Sequence, residues 1–151
     1  MATNAPNLGA LLTNDAEVFR AFSLDGHRKN GRVRARCFYR KSDHFDGISV
    51  GLTPESAVAH LTTNHGYCKL LVGSVHALPH QLTVRTDPEL AGHALIHNVP
   101  CIDSPNDNER KRASLVAGEL ARLAEVVTSE PFYPQPEGPA PAPPEIPSTP
   151  N

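Results

Sequence analysis

A chain of 151 residues, 39% of them hydrophobic, is long enough for one domain with a sizeable core and short for two. Three cysteines without a Cys-x-x-Cys pair suit reduced thiols in a cytoplasm, not a disulfide framework. The formal charge of −2 excludes a uniformly basic protein but hides a concentration: seven of the fourteen Lys and Arg fall in residues 27–41, which contain no acid.

Residues 1–13 read as a flexible arm; its apolar run at 8–12 is too short to cross a membrane and no basic region precedes it, so neither export nor a membrane partner is expected. Residues 17–22 (EVFRAF) are a short apolar run with one arginine before an Asp25-Gly26 turn signal, which predicts a strand. Strict alternation from Arg32 to Arg36 predicts a second strand, with Arg32, Arg34 and Arg36 on one face and Val33, Ala35 and Cys37 on the other; Arg40 follows closely. A loop with Asp43 and Asp46 leads to a strand at 48–52. Thr53-Pro54-Glu55 then combines a good N-cap with a proline for the first helical position, and Ala57, Val58 and Leu61 make a narrow apolar stripe, so a helix is expected to about 64–66.

Residues 68–78 (CKLLVGSVHAL) read as the most buried strand, with two more at 81–86 and 93–97. Ser104-Pro105-Asn106-Asp107 opens a last helix, whose docking face runs through Ala113, Val116, Ala117, Leu120, Leu123, Ala124 and Val127. Nine of the fifteen prolines fall in residues 131–151, which predicts a disordered tail of polyproline character. Strands segregated from helices predict an α+β domain over residues 14–130, with a split, mainly antiparallel sheet and two helices.

Neither Gly-x-Gly-x-x-Gly nor a Gly-Lys-Ser/Thr loop occurs, and Gly-x-Ser-x-Gly is also missing. Eight histidines raise the question of a metal. His76 and His80, and His93 and His97, are each four apart, but Pro79 opposes a helix at the first pair and 93–97 reads as a strand; no acid or cysteine completes a ligand spacing, so no metal is expected. Asp43, Asp46, Asp87 and Glu89 lie in loops where acids form turns, and the cysteines lie in or beside apolar runs. The basic stretch carries the strongest signal. Guanidinium forks match phosphate oxygens in pairs, making Arg32, Arg34, Arg36 and Arg40 candidate ligand-binding residues, and Phe38 and Tyr39 can stack on a base. The competing readings are an edge strand protected by its charges, or arginines neutralised by Asp43 and Asp46.

The layout of residues 47–61 (GISVGLTPESAVAHL), 68–78 (CKLLVGSVHAL) and 92–100 (GHALIHNVP) resembles the C-terminal half of the RNA 2′-phosphotransferases and, more loosely, the compact ADP-ribosyltransferase-like toxins. The resemblance implies a split-sheet cleft that binds NAD or an RNA phosphate. It carries the family's first-strand His or Arg onto Arg20, its middle-strand polar residue onto Ser49 or Thr53, and its last-strand residue onto His93. The His-Gly-Thr and Arg-His-x-Pro signatures are missing, and no Glu stands in 92–97, where many such transferases carry their acid.

The first reading is therefore a cytoplasmic ADP-ribosyltransferase-like domain that binds an NAD-like dinucleotide or RNA, with Arg20, Ser49 and His93 as catalytic candidates. The alternative is a non-catalytic module that docks nucleic acid or an acidic protein through its basic strand, or recruits a partner with its proline tail. A third is a toxin acting on nucleic acid, or its neutralising partner.

Overall fold

In a computed structural model, the chain is described over residues 9–42 and 47–133. Among the described residues, eight strands and three α-helices form an α+β domain: β1 (Glu17–Ala21), β2 (Arg28–Lys29), β3 (Arg32–Val33), β4 (Ile48–Gly51), α1 (Pro54–Val58), β5 (Tyr67–Leu71), α2 (Val72–Ala77), β6 (Thr83–Thr86), β7 (His93–His97), α3 (Asp107–Leu123) and β8 (Glu125–Thr128). Six strands make one sheet in the order β6-β7-β4-β1-β5-β8, antiparallel at every step; β2 and β3 form a separate hairpin. Among the described residues, no helix is long and apolar enough to cross a membrane.

One face of the sheet supplies the core. Val18 of β1 and Phe22 just after it, Ile48 and Val50 of β4, Leu70 of β5, Val84 of β6 and Ile96 of β7 are buried in one cluster with Val116, Ala117 and Leu120 of α3. Buried α3 residues recur at 113, 116, 117, 120 and 121, the stripe a docked amphipathic helix requires. Asn106 caps that helix: its side chain accepts from the Glu109 N–H at 2.9 Å.

The expected arginine strand lasts only two residues. Cys37 and Phe38 are both fully buried, and consecutive residues of a strand point to opposite faces; a 3₁₀ turn at Ala35–Phe38 turns both inward against α3. Asn30 and Gly31, at φ 55° and 76°, make the two-residue turn of the β2–β3 hairpin. Asp43 and Asp46, and the proline-rich residues 134–151, lie outside the described residues.

Three further differences have local causes. The predicted strand at 68–78 bends into α2 after Leu71, where the Val72 and Gly73 N–H groups turn away to the Ala16 and Asn14 carbonyls, both at 2.9 Å. The helix after Thr53 stops at Val58, well before Asn64. The last helix ends at Leu123, and residues 125–128 pair with β5 as the edge strand β8. At the opposite edge, Leu12 donates to the Val84 carbonyl and Ala10 accepts from the Thr86 N–H, both at 2.9 Å, so residues 10–12 run alongside β6.

Candidate functional site

Arg20 occupies the core-facing row of β1 between Val18 and Phe22, where a charge is costly unless it is bonded. Its Nη1 donates to the Ser49 carbonyl at 2.7 Å and its Nε to the Cys37 carbonyl at 3.0 Å. No carboxylate pairs with it among the described residues, and two bonds leave three of its five N–H groups to spare.

Helix α1 covers β1 and β4. The approach is close because β4 ends in glycine: a Cβ at Gly51 would run into the Ala57 backbone and the Ser56 hydroxyl. Thr53 fixes the start of α1, accepting from the Ser56 N–H at 3.0 Å while the Thr53 N–H donates back to Ser56 Oγ at 3.1 Å. A cavity of about 250 Å³ results, lined by Arg20, Ala21, Ser23, Ser49, Val50, Ala57, His60, Leu61 and His93. Among the described residues its lining contains no Asp or Glu.

Two imidazoles meet there. His93, paired with Gly51 across β4 and β7, is 5% exposed; His60, just past the end of α1, is exposed; their ring centroids are 5.8 Å apart, edge to face. Burial holds His93 below the ordinary imidazole range and the neighbouring His60 adds to this, against opposing contributions from Asp87 and the Val50 backbone. Its Nδ1 is closed off from solvent without a hydrogen-bond partner. His93 therefore enters neutral solution as an uncharged base.

Arg20, Ser49 and His93 thus come together in one cavity, whereas Thr53 is spent on the α1 cap. The four arginines of the basic stretch separate. Arg40 is half-buried, with Nη1 donating to the Val99 carbonyl at 2.9 Å and to Cys101 Sγ at 2.8 Å. Arg32, Arg34 and Arg36 are exposed and make no ion pair among the described residues; Arg36 lies over Gly26, and Arg32 borders a second groove with the C-terminal end of α3 and β8. Two other histidines are tied elsewhere: His76 Nε2 accepts from the Val84 N–H at 3.0 Å, and His80 Nε2 lies 2.6 Å from Glu119 Oε1. No group of three or more His, Cys, Asp or Glu among the described residues is placed to hold a metal.

Two features escape the sequence reading. His60 lines the cavity with Ala57 and Leu61, and its place three residues after Ala57 was the available signal. Cys37 and Cys68, both buried, meet behind Arg20. Burial opposes ionisation of Cys37, but hydrogen bonds from Cys68 and His27 and the charge of Arg20 outweigh it and hold that thiol low. Cys68, bonded to Cys37 and buried, is held well above its ordinary value. Nothing in the spacing of the two cysteines foretells their meeting, since β1 brings them together. Compared with protein-family models, curated proteins and solved structures, the chain matches none.

Proposed function

We propose that the cavity under α1 binds the phosphate group of a phosphorylated ligand. The observation that carries this reading is Arg20: a partly buried guanidinium with N–H groups to spare and no carboxylate partner, in a cavity lined by Ser23, Ser49, His60 and His93 and by no acid among the described residues. Among the described residues the cavity lining itself carries no negative charge, and a phosphate supplies one in the geometry a guanidinium prefers. A volume of about 250 Å³ lies below the ~300–1,000 Å³ of sites that enclose drug-sized ligands. It suits one phosphate and its ribose, so NAD or RNA enters with part of its length. Titration calorimetry with ribose 5-phosphate, ribose and NAD tests the reading. Ribose 5-phosphate and NAD bind one per chain, ribose does not, and His60→Glu, an exposed change that adds a carboxylate to the rim, abolishes binding. Binding that survives His60→Glu, or no heat with either phosphate, overturns it.

A second reading, docking of a polyanion, is favoured by the exposed and unpaired Arg32, Arg34 and Arg36. Each phosphate contact to single-stranded nucleic acid contributes about −0.7 to the slope of log K against log salt, so reversing these three to Glu flattens that slope by about 2. A slope unchanged by the triple reversal removes this reading.

A further inference from the structure

The cavity offers two imidazoles but no protein nucleophile. Neither Ser23 nor Ser49 has a side-chain hydrogen bond to His60, His93 or any other base among the described residues, so no hydroxyl of the chain is activated for attack. The two rings share one cavity in contrasting surroundings: His93 is buried and held neutral, whereas His60 is exposed where solvent can return its proton. Titratable groups in such contrasting environments divide base and acid roles. A phosphate held by Arg20 between them must therefore bring its own hydroxyl, and the ribose 2′-hydroxyl stands beside every RNA phosphodiester.

The surroundings favour a polymer over a free nucleotide. Cys37, whose carbonyl Arg20 grips, follows Arg36, and Arg36 lies over Gly26, three residues from the cavity-lining Ser23. Arg34 is also exposed, so two unpaired guanidinium groups flank the start of the 3₁₀ turn whose Cys37 carbonyl Arg20 holds, where further phosphates of one strand can be met. A cavity of about 250 Å³ holds one phosphate and its ribose and not a base-paired segment, which favours a single strand.

We propose that the protein cleaves single-stranded RNA by transphosphorylation, with Arg20 holding the phosphodiester, His93 Nε2 accepting the proton of the 2′-hydroxyl and His60 protonating the departing 5′-oxygen. The 2′-oxygen to phosphorus bond forms and the phosphorus to 5′-oxygen bond breaks. The products are a 2′,3′-cyclic phosphate and a free 5′-hydroxyl. One proton arrives at His93 and one leaves His60, and exchange with water restores both, so the step consumes no co-reactant. In this step the N–H groups that Arg20 does not spend on the Ser49 and Cys37 carbonyls stabilise the charge that grows on the phosphoryl oxygens. Asp87, from the turn between β6 and β7, and His60 and Arg20 are the charged or titratable groups around His93.

This inference rests on the phosphate-binding reading, and the test separates them. The full chain is incubated, with chelator present, with an end-labelled RNA dodecamer and its 2′-O-methyl counterpart; binding is followed by anisotropy and products by mass spectrometry. RNA is cut to fragments ending in a 2′,3′-cyclic phosphate, and the 2′-O-methyl strand binds but stays intact. His60→Gln and His93→Gln bind both strands and cut about 10²–10⁴-fold more slowly. His60 is exposed, so its variant reports chemistry without a folding defect. Binding of RNA without cleavage overturns the cleavage inference and leaves the phosphate site standing. Failure to bind either strand overturns both, and cleavage that His60→Gln does not slow assigns the activity elsewhere.

Discussion

Arg20 and Ser49 are joined at 2.7 Å, guanidinium Nη1 to backbone carbonyl, across neighbouring strands at the centre of the sheet. The same guanidinium reaches Cys37, so one side chain ties β4 and the 3₁₀ turn to β1. Arg20→Lys keeps the charge but not the fork that makes both bonds. Hydrogen bonds to charged groups contribute roughly 1.5–3 kcal/mol each, and losing one of the two should lower stability by about 2 kcal/mol. Urea unfolding should show the midpoint falling with the slope unchanged.

The pH dependence follows from His93. Burial lowers its folded-state affinity for a proton below the ordinary value of 6.5, so the unfolded chain takes up that proton first. Its contribution to stability is constant above neutral pH, is lost as pH falls through 6.5, and levels off once the folded state is protonated too. The difference between wild type and His93→Gln, measured by denaturation at a series of pH values, isolates this component from the other histidines. A difference independent of pH between 4 and 8 would contradict it.

Gly51 decides whether the cavity exists. Gly51→Ala drives a methyl into the Ala57 backbone, and α1 must lift away from β4. Overpacking of this kind costs about 1–3 kcal/mol. In the variant, the ring resonances of His60 and His93 should lose their mutual shifts even where the sheet remains folded, which NMR can follow.

Asn64 holds the segment after β8. Buried at 2% exposure, it accepts from the Phe132 N–H at 2.9 Å and the Gly66 N–H at 3.0 Å, and donates to the Phe132 carbonyl at 2.9 Å, while the Phe132 ring packs on Tyr67 at 5.2 Å. Asn64→Ala leaves these backbone groups unpaired and should cost about 2–3 kcal/mol. Hydrogen exchange at the Phe132 amide should accelerate more than exchange at β1, marking local release before global unfolding.

The elements most legible in the sequence were those whose local chemistry and tertiary role agree. Thr53-Pro54 starts a helix by itself and β4 ends where that helix needs a close approach, while the α3 stripe from Ala113 to Leu120 is amphipathic wherever it docks. The illegible elements are those that tertiary pairing redirects. Leu123, Ala124 and Val127 continue the helical spacing, and only the free edge of β5 pulls residues 125–128 into a strand. The alternation at Arg32–Arg36 predicts a strand, but the core claims both Cys37 and Phe38 and the backbone has to coil. The candidate site divides the same way. Arg20 stood out as a charge inside an apolar run, whereas its distance from Ser49 and His60 is a property of the sheet order.

The strand-like run at residues 10–12 gives the start of the domain a protective role. Sheets end in rows of open amides and carbonyls that recruit strands from other molecules, and β6 is the last strand of the six on that side. By lying against Val84 and Thr86, the chain occupies that row with its own backbone. Residues 10–12, within the stretch that reads as a flexible arm, thus serve as a guard against self-association, and a shortened form beginning at Asn14 would present an adhesive border to every copy of itself.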